Sequence, residues 1–149
     1  MIPFNRLNTI LGWLAFATAL VTYTLTVERT ASFWDCGEFI AASFRLQVPH
    51  PPGAPFFLLL GRIFSMLSLG DLTRVAYWIN MTSVLASAFT ILFLFWTITL
   101  LAQKLIGKPV CEYTNADSML VIGTGAVGAL VYTFSDTFWF SAVEAEVYG

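Results

Sequence analysis

Residues 34–53 read WDCGEFIAASFRLQVPHPPG and place Asp35, Glu38, Arg45 and His50 within sixteen positions. Only 11% of the 149-residue chain is charged, so this is a dense polar island. The residue types suit proton transfer and anion recognition. A carboxylate can accept the proton of an attacking hydroxyl, and an imidazolium or a guanidinium can hold a phosphate. Asp35 and Glu38 are three apart and share one face of a helix predicted over 35–48; Arg45, seven beyond Glu38, returns to that face. Phe39, Ile40 and Leu46 give the same helix an apolar side that could lie on a membrane. The spacing also fits an ordinary solvated surface. Ser32 and Asp35 have the separation of a capping box, and a carboxylate is favoured at a helix N-terminus.

His50 is the only histidine of the chain. It lies in Pro49-His50-Pro51-Pro52-Gly53, where prolines stiffen the backbone and bias His50 towards an extended conformation. It reads either as a bystander in a rigid turn or as a group that meets substrate. Arg62 is the one charge inside 54–69. A second acidic group, Asp136, Glu144 and Glu146, follows in SDTFWFSAVEAEVYG, beside the interfacial aromatics Phe138, Trp139 and Phe140. Glu144 and Glu146 share a face only in an extended segment, so in a helix one of them faces away from any site. Asp71 and Arg74 read as a turn, and Glu112 and Asp117 as solvated loop residues. Asn80, alone in an apolar stretch, is expected to hydrogen-bond to a neighbouring helix.

These groups need a scaffold, and composition says which kind. The chain is 58% hydrophobic and 16% aromatic, with a mean hydropathy of +0.77. That predicts an all-α integral membrane protein. The net charge of −2 without a basic run argues against a nucleic-acid partner. Cys36 and Cys111 make neither a disulfide framework nor a metal motif and are expected to be unpaired.

Residues 7–27 and 75–103 carry no charge, and each is long enough to cross a hydrocarbon core of ~30 Å. Residues 119–134 are uncharged too, and their GTGAVGA core would let another helix approach closely. Segment 54–69 is short, follows Pro-Pro-Gly and carries Arg62 centrally, which suits an interfacial helix better than a span. Three spans put Arg6 and the Lys104–Lys108 loop together, on the cytoplasmic side by the positive-inside rule. Segments 28–74 and 135–149 then share the opposite face, with Cys36 and Cys111 on different sides. The N-terminal stretch is too long for a signal h-region and lacks a small-residue cleavage site, so it reads as a retained anchor. The apolar ending AEVYG suggests that residues 1–149 are the N-terminal part of one multi-spanning domain.

WDCGEFI, VPHPPGAPFFLLLGRIFS and FSAVEAEVYG, in this order, resemble the start of the membrane glycosyltransferases of GT-C fold. The nearest likeness is to the protein O-mannosyltransferases and their bacterial relatives, a domain-of-unknown-function family related to a human transmembrane O-mannosyltransferase. The resemblance implies juxtamembrane helices in the first extracytoplasmic loop, a polyprenyl-phosphate sugar donor and a hydroxyl acceptor, protein Ser or Thr. It implies a bacterial inner-membrane protein with periplasmic active loops. The O-mannosyltransferases usually pair adjacent Asp and Glu, whereas Asp35 and Glu38 stand three apart. On this reading Asp35 is the candidate base with Glu38 as a second catalytic carboxylate, and an inverting single displacement follows. His50, Arg62 and Arg45 are candidates for the donor phosphate, and Glu146 or Glu144 for the acceptor or sugar hydroxyls. A divalent metal is compatible with the carboxylates, and three spans alone are expected to be inactive. The alternatives are a non-catalytic assembly subunit, in which Asp35 and His50 are freely replaceable, or a transporter subunit, whose ionisable groups should lie mid-span.

Overall fold

The computed structural model describes residues 3–51 and 53–145. Among them all regular structure is helical: α1 (Phe4–Thr26), α2 (Cys36–Arg45), α3 (Pro55–Ser65), α4 (Val75–Ile106), α5 (Asn115–Thr133) and α6 (Asp136–Ala142). Three helices are long and apolar enough to cross a membrane: α1, α4 with the turn before it, and α5. With 23, 32 and 19 residues, they measure roughly 34, 48 and 28 Å at ~1.5 Å per residue. The apolar helix Pro55–Ser68, formed by α3 and a 3-10 turn, is shorter. Its fourteen residues reach only ~21 Å, below the ~30 Å of a hydrocarbon core.

Helix ends differ from the sequence expectation where caps decide them. Helix α2 stops at Arg45 because Leu46 turns left-handed, φ 51° and ψ 48°, and its N–H closes back on Ala42 and Ser43. Asp35 is the N-cap but makes no side-chain capping bond, so the Ser32–Asp35 box does not form. Helix α5 starts at Asn115, earlier than expected, because Thr114 and Asp117 cap each other reciprocally. Asp117 is therefore a helix-starting residue rather than a loop charge.

The chain divides into two compact units. One comprises the N-terminal stretch to Ala19 and Ala88–Ser135. Lipid tails are as apolar as leucine, so helices in a membrane gain mainly by close van der Waals fit, and small residues permit it. Here Gly12 packs against the Trp96 indole, Gly125 against Thr99 and Phe95, and Gly128 against Ile98. Trp13 and Trp96 meet edge to face at 6.2 Å, and Phe16 and Phe89 lie 4.8 Å apart. Phe4, Val121 and Ile122 close a further cluster.

The other unit comprises Leu20–Ser87 and the stretch from Asp136. Tyr23, fully buried, meets the rings of Phe138 and Trp139, and Trp139 Nε1 donates to Thr26 Oγ1 at 2.9 Å. These contacts lay α6 on the end of α1. Helix α3 approaches α2 so closely that a Cβ on Gly61 would come within 2.6 Å of Ser43 Oγ. Phe39 and Ala42 pack with Ala54 and Leu58, while Ile40 packs on a cluster of Cys36, Val75, Ile79 and Ala145. The apolar side of α2 thus faces protein at Phe39 and Ile40, not the bilayer.

Candidate active site

Asp35 sits at the hinge between loop and helix, and what precedes it fixes its direction. Glu28 orders the loop after α1: its Oε1 accepts from Arg29 N, Thr30 N and Thr30 Oγ1 at 2.9, 3.0 and 2.8 Å. The Thr30 hydroxyl and amide hold the Glu28 carboxyl below its usual range. Asn80 of α4, fully buried, donates from Nδ2 to Glu28 O at 2.8 Å and to Thr30 O at 3.2 Å. Its Oδ1 faces Cys36 Sγ at 3.9 Å. One amide therefore ties the loop and the first residue of α2 to the second long helix. Trp34 has φ 58°, a left-handed conformation that costs a bulky residue on the order of 1–3 kcal/mol. Its ring is 87% exposed, so packing does not compensate.

His50 returns to α2 across the proline loop. Its backbone N–H donates to Glu38 Oε1 at 2.7 Å, and its ring Nδ1 meets Glu38 Oε2 at 2.9 Å. The other ring nitrogen, Nε2, lies 3.8 Å from Asp35 Oδ2. Gly53 closes the turn onto His50 O with φ 75°, in the region that favours glycine. The hydrogen bond to Glu38, its charge and then that of Asp35 raise the His50 pKa above its ordinary value. The same ring bond, followed by the amide bond, lowers the pKa of Glu38. The amide and ring of His50 thus clasp both oxygens of the Glu38 carboxyl.

Both Glu38 oxygens are occupied by His50. The Asp35 side chain accepts no hydrogen bond from the described residues and is 58% exposed, so it can meet an incoming hydroxyl. Ligand atoms of Asp35, Glu38 and His50 lie within 4.8 Å of one another. Two carboxylates and an imidazole form a set that Zn²⁺ or Mn²⁺ accepts, provided His50 Nδ1 gives up Glu38 or Nε2 serves as the ligand.

The remaining candidates lie elsewhere. Arg62 Nη1 donates to Phe44 O at 2.6 Å and its guanidinium stacks 5.5 Å over the Phe44 ring. It thereby satisfies an orphan carbonyl at the C-terminal end of α2. Arg45 ends α2 and is exposed. Glu144 is 1% exposed, and its Oε1 has no partner among the described residues. Its neighbour Val143 accepts from Glu28 N at 2.9 Å, and Ala145 packs with Cys36. Glu146 lies outside the described residues. No disulfide joins the cysteines; Cys36 is buried and Cys111 exposed. The partner expected for Asn80 was a neighbouring helix, whereas it bonds loop carbonyls after α1; Glu28 and Trp34 were not singled out from the sequence. The usable signal was a lone amide in a charge-free stretch.

Three membrane-length helices, with a carboxylate–imidazole cluster on a short helix between the first two, define an integral membrane protein with a polar loop site. Residues 35–149 match the family described as Protein O-mannosyl-transferase TMEM260 N-terminal domain, and the chain belongs to that family. It is 32% identical over 133 residues to Protein O-mannosyl-transferase TMEM260 of Mus musculus, covering 89% of this chain and 16% of that protein. It is 27% identical over 135 residues to Protein O-mannosyl-transferase tmem260 of Dictyostelium discoideum, covering 91% and 14%. The chain thus spans about one-sixth or less of the length of these relatives. No solved structure matches.

Proposed function

We propose that this chain is the N-terminal, base-bearing part of a membrane glycosyltransferase. The enzyme moves a sugar, mannose by the names of the relatives, from a polyprenyl-phosphate donor to a protein hydroxyl on the extracytoplasmic face. The observation that carries the reading is the division of labour between two carboxylates, Glu38 saturated by His50 and Asp35 open to solvent. As the acceptor oxygen bonds to the anomeric carbon, its proton passes to Asp35. The bond from that carbon to the phosphate oxygen breaks, and the electron pair leaves with the phosphate. A single displacement inverts the anomeric configuration. His50, held by Glu38 and with its pKa raised, presents Nε2 3.8 Å from Asp35 Oδ2. It also offers an anionic donor long-range attraction. A divalent ion, if the enzyme uses one, would be held by these same three residues and would neutralise phosphate charge.

Asp35→Asn in the full-length protein tests the role. Transfer from polyprenyl-phosphate mannose should fall by about 10²–10⁴-fold, with the elution profile and thermal unfolding unchanged. Full activity in that variant removes Asp35 from the mechanism.

A further inference from the structure

The two arginines offered by the sequence as donor-phosphate ligands do not sit with the base. Arg45 ends the ten-residue helix that Asp35 begins, so their backbones are about 15 Å apart at ~1.5 Å per residue.

Arg45 and Arg62 instead line an open depression of ≈ 490 Å³, completed by Phe44, Leu46 and Gln47. No carboxylate lines it, and neither guanidinium has an ion-pair partner among the described residues. Arg62 is held in place by Phe44, through its carbonyl and its ring, which leaves the far edge of its fork available to an anion. Arg45 reaches the same space from the end of α2.

What borders the depression is apolar and uncovered. Helix α3 buries Leu58, Gly61 and Ser65. Its opposite face, with Phe56, Leu59, Ile63 and Met66 at 74%, 56%, 59% and 61% exposure, is uncovered among the described residues. The spacing of three, four and three makes a single stripe. In an integral membrane protein, a short helix with an apolar stripe and a cationic edge rests in the bilayer surface, stripe down and cations at headgroup depth.

We infer that the Arg45–Arg62 depression binds the phosphate of an anionic bilayer phospholipid, whose tails lie along the exposed face of α3. The site is separate from the Asp35 cluster and does not depend on the catalytic reading. Charge complementarity selects the occupant, because two unpaired guanidiniums attract a net-negative headgroup and gain little from a zwitterionic one. By seating α3 in the bilayer, the lipid fixes the height of α2, which packs on it, above the membrane.

The test uses the full-length protein purified in detergent and incubated with phosphatidylglycerol or phosphatidylcholine, with retained lipid read by native mass spectrometry. Wild-type protein should retain phosphatidylglycerol preferentially, and Arg45→Gln should lower that retention about fivefold. Arg45 is exposed and without a described partner, so its replacement leaves the fold intact; Arg62→Lys, which keeps the charge, should retain more than Arg62→Gln. Equal retention of both lipids, or wild-type retention by Arg45→Gln, overturns the proposal. Displacement of the bound lipid by millimolar inorganic phosphate also overturns it, showing a free-phosphate site. Displacement by polyprenyl phosphate does so too, assigning the arginines to the donor. None of these readings requires turnover, so a failed transferase assay leaves the result standing.

Discussion

Glu38 and His50 make one acid–base unit, and their shifts work in opposite directions. His50 is raised, so the stability it contributes is complete below the ordinary histidine pKa and is lost as pH rises through the folded value. Glu38 is lowered, so its contribution is present above the ordinary glutamate pKa and is lost as pH falls through the folded value. The clasp therefore persists between the lowered Glu38 pKa and the raised His50 pKa. Glu38→Gln should bring the His50 pKa down towards its ordinary value, leaving only the influence of Asp35. Because His50 is the single histidine, ring proton shifts of the detergent-solubilised chain report it without overlap. An unshifted His50 in the unsubstituted chain means that the clasp does not form. The helical spacing of Asp35 and Glu38 was legible in the sequence, since it follows from the α-helical repeat. The return of His50 across twelve residues was not, because it depends on turn geometry at Pro51 and Gly53 that no periodicity encodes.

Helices hold this unit through a few close contacts, and those contacts differ in how much substitution they tolerate. Asn80→Ala strips two carbonyls, Glu28 O and Thr30 O, of a buried donor and should cost about 1–3 kcal/mol. Cys36, fully buried beside Asn80, should then react with a maleimide that leaves it untouched in the unsubstituted protein. Unchanged protection of Cys36 would mean that the tether does not position α2. In α5 the glycines divide in the same manner. A Cβ on Gly125 would meet Thr99 Cγ2 at 2.5 Å and Phe95 at 3.2 Å, whereas Gly123 faces open space. Gly125→Ala should lower the thermal midpoint, with an overpacking cost of about 1–3 kcal/mol, and Gly123→Ala should leave it alone. The small-residue pattern of GTGAVGA announced a close approach, but not which glycine makes it, since that depends on the facing residue of α4. Apolar runs likewise located the long helices, while their ends were set by single side chains such as Thr114 and Asp117. Amphipathicity revealed that α2 has an apolar side, yet whether protein or lipid covers it depended on where α3 and α4 lie.

At the scale of the molecule, the three-crossing reading predicts that the loop before α2 and the loop after α4 face different aqueous compartments. A cysteine at exposed Ala31 should label from outside intact cells with an impermeant maleimide, and native Cys111, also exposed, should label only after permeabilisation. Labelling of both from outside contradicts the three-crossing topology. Asn80 carries a further consequence, which concerns time. It reaches back 52 residues to bond Glu28 O, so the segment bearing Asp35 lacks this tether until Asn80 has been made. At about 5–20 residues per second, that interval lasts roughly 3–10 s of synthesis. During it, the Trp34–Asp35 hinge waits as untethered chain beside the membrane, a substrate for proteases and chaperones. The contacts of Val143 with Glu28 and of Ala145 with Cys36 come later still in synthesis.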